Sequence, residues 1–336
     1  MPPVTVLLSL APPDGTLRYV VHLTEGMAEG TRYKYFSWST ALFGRYDVFH
    51  VHWPEQLVRA KTPLARWVKR MLASWLLLRF RISGIAVVRT LHNLSPHEAG
   101  DQREARFLAR LEASTDLNIR LNAATPMDPT TGVTILHGHY IGRYPGADVQ
   151  PSEVGRLLYF GLIRPYKGVE RLLEVFDSID AQNELQLRVV GKPTQALREL
   201  ILAACEADSR ISARLEFVPD DVLATEIYRA EMVVLPYKEM HNSGAILVAL
   251  SLGRAVLVPR SETNALLAEE VGPGWVNMYE GELTKHILLE ALERCRSSAR
   301  SELPRLSGRD WDLVGQLHYE AYRRAVAARR GTFEAN

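Results

Sequence analysis

Two cationic side chains three residues apart lie in a loop bounded by glycines. Residues 161–168 read GLIRPYKG, and Arg164 and Lys167 fall between an apolar run and a helical pattern. Glycine lets the backbone approach a ligand closely, and the N-terminus of a following helix adds partial positive charge. This combination suits the diphosphate of a ligand, with a solvated basic loop as the alternative. We expect both side chains to be exposed to solvent.

A polar segment that leads into a second helix is also suited to an anion. Residues 239–243 read EMHNS and precede an apolar run that begins with Gly244 and Ala245. Asn242 or Ser243 can cap this helix, and the free backbone amides of its first turn point towards an anion. A capped helix packed in the core has the same pattern, so both interpretations stand.

Histidines cluster where two apolar stretches of the first half end. Residues 50–55 read HVHWPE, and residues 90–98 read TLHNLSPHE. Ligand sites in α/β proteins form at the carboxyl ends of strands, where an imidazole acts as acid, base or hydrogen-bond donor near pH 7. Metal binding competes with this interpretation, because histidine and glutamate bind zinc and residues two apart on a strand share a face. The candidates are His50, His52, Glu55, His92, His97 and Glu98.

Composition excludes several classes of protein. The 336 residues are 47% hydrophobic and 24% charged with a net charge of +1, which is typical of a folded chain of about two domains. Cys205 and Cys295 have no cysteine nearby, which excludes a disulfide scaffold and a cysteine-rich metal cluster and suits a reducing cytoplasm. No apolar run reaches the roughly 18 residues of a membrane span. We interpret Val4–Leu10 as a buried strand and not as a signal peptide.

The elements that position these residues alternate between strand and helix. The predicted strands are Val4–Leu10, Val48–His52, Ile85–Leu91, Leu117–Leu121, Gly132–Leu136, Arg156–Phe160, Gln186–Val190, Leu215–Val218, Met232–Leu235 and Ala255–Pro259. The predicted helices are Leu64–Leu78, Gln102–Ala113, Val169–Asp177, Thr194–Glu206, Asp221–Ala230, Gly244–Leu252 and Asn264–Glu269. This alternation predicts two Rossmann-like parallel sheets, divided near Pro145–Glu153, with a ligand between them.

Positive charge is concentrated in one stretch of the first half. No acidic residue lies between Glu55 and Glu98, and the part Arg59–Arg81 also carries Trp67 and Trp75 at helical spacing. Basic residues that flank aromatic ones suit an anionic membrane surface. A helix that packs its apolar face on the sheet is the alternative. Nucleic acid is not indicated, because no recognition motif accompanies the charge.

Residues 156–260 resemble the donor half of GT-B nucleotide-sugar glycosyltransferases, in particular the family 4-like group. The resemblance rests on the loop 161–168 and on the polar segment and helix that end in a small-residue turn at Gly253. It implies that Arg164 and Lys167 neutralise the donor diphosphate and that Ser243 and Gly244 bind its oxygens. Gly15, in the DGT segment after the first strand, corresponds to a glycine that approaches the donor phosphate.

The segments HVHWPE and TLHNLSPHE resemble a bacterial subgroup of the same enzymes, which acts on lipid-linked or polysaccharide intermediates and includes mannosyltransferases. The resemblance implies that His92 contacts the transferred sugar. It also implies that His137, His139 and Tyr140 line the cleft, although a hinge turn has the same composition. The likeness to family 4 implies retention at the anomeric carbon, whereas related subgroups invert. An inverting enzyme would need a general base, for which Glu55, His97 and Glu98 are the candidates.

One feature departs from the family. Its members usually carry two glutamates seven residues apart around the second helix, and the corresponding residues here are His241 and Val248. Glu239 lies two residues too early to replace the first glutamate without a shifted loop. The donor sugar and base therefore stay open.

The resemblance implies a GT-B fold with an acceptor-side domain at 1–150, a donor-nucleotide domain at 151–309 and a C-terminal helix at 310–330 that crosses back. It implies a glycosyltransferase that needs no metal and that is cytoplasmic or peripheral on the inner face of the membrane. Its expected partners are a nucleotide sugar and a hydroxyl acceptor, such as a glycolipid, a polysaccharide intermediate or a natural product. The D-x-D pair of metal-dependent transferases occurs only at Asp310 and Asp312, where it suits a helix start. An epimerase on the same fold and a non-catalytic binding subunit are alternatives. A nicotinamide dehydrogenase is disfavoured, because no G-x-G-x-x-G follows the first strand.

Overall fold

The computed structural model describes residues 3–12, 18–92, 100–238, 244–298 and 300–334. The chain forms two compact units. Unit 1 comprises the residues up to Gly138 and those from Gly308 onward, and unit 2 comprises His139–Ser307. Each unit is built on a six-stranded sheet whose neighbouring strands all run parallel.

The sheet of unit 1 has the order β2-β1-β3-β4-β5-β6. Its strands are β1 (Val4–Leu8), β2 (Thr31–Lys34), β3 (Val48–Val51), β4 (Ala86–Leu91), β5 (Leu117–Arg120) and β6 (Gly132–Thr134). The helices of its first part are α1 (Arg18–Glu25), α2 (Trp38–Phe43), α3 (Pro63–Ile82) and α4 (Gln102–Glu112). A short 3₁₀ turn, Pro54–Leu57, follows β3.

The sheet of unit 2 has the order β12-β11-β10-β7-β8-β9. Its strands are β7 (Arg156–Phe160), β8 (Gln186–Val190), β9 (Ile211–Arg214), β10 (Met232–Val234), β11 (Ala255–Pro259) and β12 (Val276–Tyr279). The helices are α5 (Val169–Asp177), α6 (Gln195–Ala207), α7 (Asp220–Arg229), α8 (Gly244–Ser251), α9 (Glu262–Val271) and α10 (Lys285–Ser297). Both sheets are parallel and covered by helices, so central strands such as β7, β10 and β11 read as nearly continuous apolar runs.

Each sheet reverses the direction in which its strands are added. The reversal lies between β1 and β3 in unit 1 and between β7 and β10 in unit 2. Loops that leave the two strands of such a reversal diverge to opposite faces, which opens a crevice at the carboxyl ends where ligands bind. This topology places the histidines after β3 and the cationic loop after β7 beside the expected crevices of their own units.

The last helix, α11 (Trp311–Glu334), returns to the first sheet and lies against α1 and β4. Its Tyr322 is fully buried in a core that includes Val48 and Val88. The residues adjacent to them on those strands, Phe49 and Val87, face the opposite side, where they pack with α3. The period of two along each strand therefore assigns α11 and α3 to opposite faces of the sheet.

The predicted α/β class with two parallel sheets is confirmed, and the predicted strands β7, β8 and β11 and helix α5 have the observed bounds. The strand predicted at Leu215–Val218 is wrong. Ile211–Arg214 pairs with β8 instead, and Leu215 and Val218 are buried in the loop that follows. The prediction missed two strands and three helices, namely β2, β12, α1, α2 and α10.

No helix within the described ranges is both long enough and apolar enough to cross a membrane.

Candidate active site

Three loops converge at the carboxyl edge of the second sheet. The loop after β7 is tied to the loop after β8, because the Ile163 amide donates to the Lys192 carbonyl at 3.1 Å. It is also tied to the loop after β10, because the Lys238 amide donates to the Tyr166 carbonyl at 2.8 Å. These backbone bonds fix residues 163–167 beside the strand reversal of unit 2.

Gly168 closes this loop and begins α5. Its φ of +68° lies in the left-handed region, and a Cβ atom there would lie 2.1 Å from the Pro236 carbonyl oxygen. A side chain at this position would therefore both strain the backbone and push the β10 loop away. The glycine allows the loops after β7 and β10 to touch.

Arg164 and Lys167 are half-buried, so the expectation that both are exposed is wrong. The Arg164 guanidinium donates to the carbonyls of Ile163 and Lys192, at 2.8 and 3.1 Å. The Lys167 ammonium lies 4.8 Å from the centroid of the Tyr237 ring. These contacts hold the charged ends of both side chains close to protein atoms.

The positive charge of this loop is not compensated by any described residue of unit 2. Neither Arg164 nor Lys167 pairs with a carboxylate anywhere in the described part of the chain. Burial, together with the smaller effect of the neighbouring Arg164 charge, lowers the pKa of Lys167 from 10.5 to about 8. A dianionic ligand would relieve both effects.

Two buried polar groups on the elements that flank this loop were not predicted from the sequence. The Tyr159 hydroxyl, on β7, and one carboxylate oxygen of Glu170, in the first turn of α5, are buried without a hydrogen-bond partner in the described structure. Burial raises the pKa of the Tyr159 hydroxyl, and Tyr237 and Glu170 add to this rise. Tyr159 sits in an apolar strand and gave no signal in the sequence except its single hydroxyl.

The second anion-binding segment is described only from its helix onward. Gly244 and Ala245 form the half-buried first turn of α8, while Ile246–Leu250 are buried in the core. Val248, which replaces a glutamate of the family, is part of that core and exposes only 6% of its surface. Six predicted site residues lie outside the described residues, namely Gly15, His97, Glu98, His241, Asn242 and Ser243.

Unit 1 gathers its histidines at the carboxyl ends of β3 and β4. His50, on β3, is fully buried, and its Nδ1 and Nε2 lie 2.9 Å from the Tyr322 hydroxyl and 2.8 Å from the Thr90 hydroxyl. His52, directly after β3, has its Nδ1 2.9 Å from Nε2 of His92. The strands β3 and β4 are adjacent and parallel, so their carboxyl ends lie side by side. For this reason His52, which follows β3, lies next to His92, which follows β4.

Aromatic rings surround these imidazoles. The Trp53 ring stacks on His92 with centroids 4.3 Å apart and an interplanar angle of 15°. Tyr19 contacts His92 edge-on at 5.1 Å and His137 at 5.0 Å. The His52 Nε2 atom is buried without a hydrogen-bond partner in the described structure. An imidazole nitrogen in this position can accept a proton or donate one to a ligand that reaches it.

Two members of this cluster, His318 and Tyr322 on α11, were not predicted from the sequence. The Nδ1 of His318 lies 2.7 Å from the Val314 carbonyl, which accepts only, so Nδ1 carries the proton. Its Nε2 is then the acceptor for the Tyr19 hydroxyl at 3.4 Å. The only available signal was the four-residue spacing of His318 and Tyr322, which puts both on one face of a helix.

The buried imidazoles are neutral near pH 7. Burial lowers the pKa of His137 and of His318 to about 4. It lowers the pKa values of His50, His52 and His92 well below 6.5, and charge on the neighbouring histidines lowers them further. A neutral imidazole can act as a base or as a hydrogen-bond donor without bringing a positive charge to the site.

The remaining candidates lie elsewhere in their units. Glu55 is half-buried in the 3₁₀ turn after β3, and its carboxylate opposes the lowering of the Arg89 pKa by burial. His139 and Tyr140 belong to unit 2, where the Tyr140 amide donates to the Ser251 hydroxyl at 2.8 Å. In the described ranges no three side chains of the metal-binding types are grouped so as to hold an ion.

Comparison with known proteins relates the whole chain to one family. A family model described as glycosyl transferases group 1 matches residues 155–288. The chain is 47% identical over 327 residues to a GDP-mannose:glycolipid 4-β-D-mannosyltransferase from Xanthomonas campestris pv. campestris, covering 97% of this chain and 93% of that protein. A second protein of the same description from this organism is 46% identical with the same coverage.

Solved structures of low identity share the fold. Anabaena Alr3699/HepE in complex with UDP has a TM-score of 0.61 at 13% identity and covers 99% of both chains. Sucrose-phosphate synthase (tll1590) from Thermosynechococcus elongatus has a TM-score of 0.66 at 15% identity, covering 98% of this chain and 100% of the other. These likenesses, together with the two sheets, confirm the predicted GT-B fold.

The neutral histidines predict that unit 1 loses stability in acid. Below pH of about 6.5 the unfolded chain binds protons that the folded chain excludes, so the free energy of unfolding falls as pH falls. Each such histidine contributes up to about 1.4 kcal/mol per pH unit, and for His137 and His318 the loss ends near their folded pKa of about 4. Urea unfolding followed by tryptophan fluorescence from pH 4.5 to 8 measures the slope.

The variants His318→Gln and His286→Gln form a matched pair for this measurement. The first removes a buried titrating group and should flatten the slope, whereas the second changes an exposed histidine, 81% of whose side chain is accessible, and should leave it unchanged. Equal slopes in the wild type and His318→Gln would contradict the prediction.

Proposed function

The chain belongs to the group 1 glycosyltransferases, and on that premise we propose that it transfers mannose from GDP-mannose to a hydroxyl group of a glycolipid. A glycosyltransferase moves a sugar from a nucleoside diphosphate donor to a hydroxyl acceptor, so the epimerase and the non-catalytic subunit are set aside. One observation carries the choice of donor and acceptor. It is the 47% identity over 97% of the chain to a protein described as a GDP-mannose:glycolipid 4-β-D-mannosyltransferase.

In this proposal the diphosphate of the donor binds the loop after β7. Negative charge grows on the diphosphate as its bond to the sugar breaks, so cations fixed beforehand stabilise the transition state most. The half-buried positions of Arg164 and Lys167 support this role, because an ion is weakly screened there. The first-turn amides of Gly244 and Ala245 are proposed to bind further phosphate oxygens.

We propose that transfer needs no divalent metal. In metal-dependent transferases an ion held by acidic side chains neutralises the diphosphate. Here Arg164 and Lys167 supply two positive charges at one edge of the sheet, and neither pairs with a carboxylate among the described residues. The fixed cations therefore supply the charge that such an ion would bring.

The histidine cluster of unit 1 is proposed to contact the transferred sugar and the acceptor. His92 lies at the end of β4, stacked on Trp53, and its neutral imidazole can exchange hydrogen bonds with sugar hydroxyls. Mannose is α-linked in GDP-mannose, so a β-linked product requires inversion and a base that deprotonates the acceptor. Among the described candidates Glu55, half-buried after β3, is proposed for that role.

The proposal predicts both a ligand preference and a reaction. GDP should raise the melting temperature of the full-length protein more than UDP, ADP or dTDP, because a ligand at a hundred times its Kd adds about 2.7 kcal/mol to the free energy of unfolding. Label from GDP-[¹⁴C]mannose should pass into a bacterial glycolipid extract, and EDTA should not stop the transfer. A protein that prefers UDP, or that moves no label, would contradict the proposal.

Variants of the cationic loop test the assignment of the diphosphate. Arg164→Ala and Lys167→Ala should each weaken GDP binding tenfold to a hundredfold, since a charge-assisted contact is worth about 1.5–3 kcal/mol. Lys192→Ala is the matched control, because this exposed lysine contributes only its backbone carbonyl to the loop. If all three variants bind GDP like the wild type, the assignment of the diphosphate is wrong and the mannosyltransferase proposal needs another donor site.

Helix α3 has two apolar faces on opposite sides. Ala73, Leu76, Leu77 and Phe80 are buried against the first sheet. The other face, called here the exposed stripe, has residues spaced three or four apart, each of which exposes 41% or more of its surface. The exposed stripe consists of Leu64, Trp67, Met71, Trp75, Leu78 and Ile82. The buried face agrees with a helix packed on the sheet, and the exposed stripe supports the membrane contact proposed below.

Much of the basic charge predicted for this region is already paired within unit 1. Arg59 pairs with Glu104 at 2.7 Å, and Arg89 pairs with Glu112. Lys69 donates to the backbone carbonyls of Gln56 and Arg59. The stretch that lacks acidic residues in sequence therefore has acidic neighbours in space, and its field is weaker than the sequence suggests.

We propose that the exposed stripe rests on the inner face of the membrane that holds the glycolipid. A contiguous apolar surface rimmed by polar residues marks an interaction site, and tryptophan is suited to the membrane interface. Binding there buries the apolar side chains of the stripe in the interface. Lys61 and Arg81, which pair with no carboxylate among the described residues, add attraction to anionic lipids. The enzyme is then peripheral to the membrane and takes its donor from the cytoplasm.

This arrangement predicts that the tryptophans of α3 control vesicle binding. Trp67→Ser with Trp75→Ser should lower the partition coefficient at least tenfold, because each exposed ring loses its burial in the interface. Phe217→Ser, at an aromatic residue of unit 2 that is 56% exposed, is the matched control and should change little. Co-sedimentation with anionic vesicles measures the effect, and undiminished binding of the double variant would remove the membrane proposal.

A further inference from the structure

A groove lies between α3 and α4 in unit 1, distinct from the strand ends that carry the histidines. Its volume is about 350 Å³, at the lower end of pockets that hold small molecules. Its floor is apolar, formed by Val58, Leu77 and Phe107, each of which is buried. Trp67 and Met71 of the exposed stripe form one wall, so the groove opens at the edge of that stripe.

Arginines surround the opening. Arg103, Arg106 and Arg110 are exposed on α4 at spacings of three and four residues, which puts them on one helix face. None of the three forms an ion pair within the described residues. The groove therefore combines a hydrocarbon-like floor with uncompensated guanidinium groups at its rim.

Arg70 connects the two helices across the groove. Its guanidinium donates to both carboxylate oxygens of Asp101, at 2.8 and 2.7 Å, while its Nε is buried without a hydrogen-bond partner in the described structure. Asp101 also caps α4 by accepting from the Glu104 amide at 2.9 Å. Asp101 is thus occupied twice, and among the described residues no carboxylate neutralises the α4 arginines.

We propose that this groove binds the phosphate-bearing end of a single membrane lipid. Guanidinium groups bind phosphate oxygens in pairs of parallel hydrogen bonds, and Arg103 and Arg106 are placed to do so. The apolar floor then receives the first carbons of the lipid chain. Free phosphate would leave this floor wet, and a neutral sugar would leave the arginines unpaired. Only an anionic amphiphile matches both surfaces.

The position of the groove supports a lipid as its occupant. Trp67 and Met71 belong both to the exposed stripe and to the groove wall, so a lipid whose chains stay in the bilayer can reach the arginines. This inference rests on the proposed contact of the stripe with the membrane. The groove would give the membrane contact of the exposed stripe, which by itself selects no particular lipid, one specific site for a lipid phosphate.

The test uses the full-length protein and dihexanoyl phosphatidic acid below its micellar concentration, with binding followed by calorimetry. The wild type should bind one equivalent, at least tenfold more tightly than it binds inorganic phosphate or dihexanoyl phosphatidylcholine. Arg103→Gln with Arg106→Gln should weaken binding at least tenfold. Arg32→Gln with Arg45→Gln changes two other exposed arginines of unit 1 and should have no effect.

Four outcomes would overturn the site. Binding of inorganic phosphate as tight as that of the lipid would show an anion site only. Full affinity in Arg103→Gln with Arg106→Gln would place the lipid elsewhere. Binding of an acidic peptide in place of the lipid would show a protein partner. If the short-chain lipid does not bind while vesicle binding still depends on Trp67 and Trp75, the groove is refuted and the membrane proposal stands.

Discussion

Both units bury titratable side chains at the carboxyl ends of their strands, and the resulting desolvation sets the charge of these side chains. In unit 1 it holds five imidazoles neutral, so that they can pack against tyrosine and tryptophan rings without an acidic partner. In unit 2 it lowers the pKa of Lys167 to about 8 beside the charge of Arg164. A buried charge without a partner is costly, and a ligand that supplies the partner recovers that cost as binding energy.

The C-terminal helix is what makes the histidine cluster possible. Tyr322 and His318 come from α11, at the end of the chain, and close the cluster over His50. The helix begins so close to α1 that a Cβ on Gly315 would lie 1.7 Å from the Gly26 carbonyl oxygen. The chemistry of the first unit therefore depends on a contact between residues almost 300 positions apart in sequence, as the 299-residue separation of Tyr19 and His318 shows.

Local patterns predicted the parts of this molecule that local physics decides. The predicted bounds agree with the observed ones for the strand Arg156–Phe160 and the helix Val169–Asp177. Each has a hydrophobic pattern within its own residues that identifies its type. The edge strand β2 reads TRYK and gave no such signal, since only part of its surface is buried. Contacts between residues far apart in sequence cannot be read from local patterns. The structure alone shows the salt bridges of Arg59 and Arg89 and the position of His318 beside His50.

The titration of Lys167 tests the account most directly. Protein labelled with ¹³C-lysine, with Lys167→Arg to assign the signal, gives the pKa from the shift of the ε-carbon with pH. The account predicts a pKa of about 8 in the free protein and a clear rise when GDP binds, because the diphosphate stabilises the ammonium form. A pKa near the ordinary 10.5 in the free protein, or one that saturating GDP leaves unchanged, would contradict it.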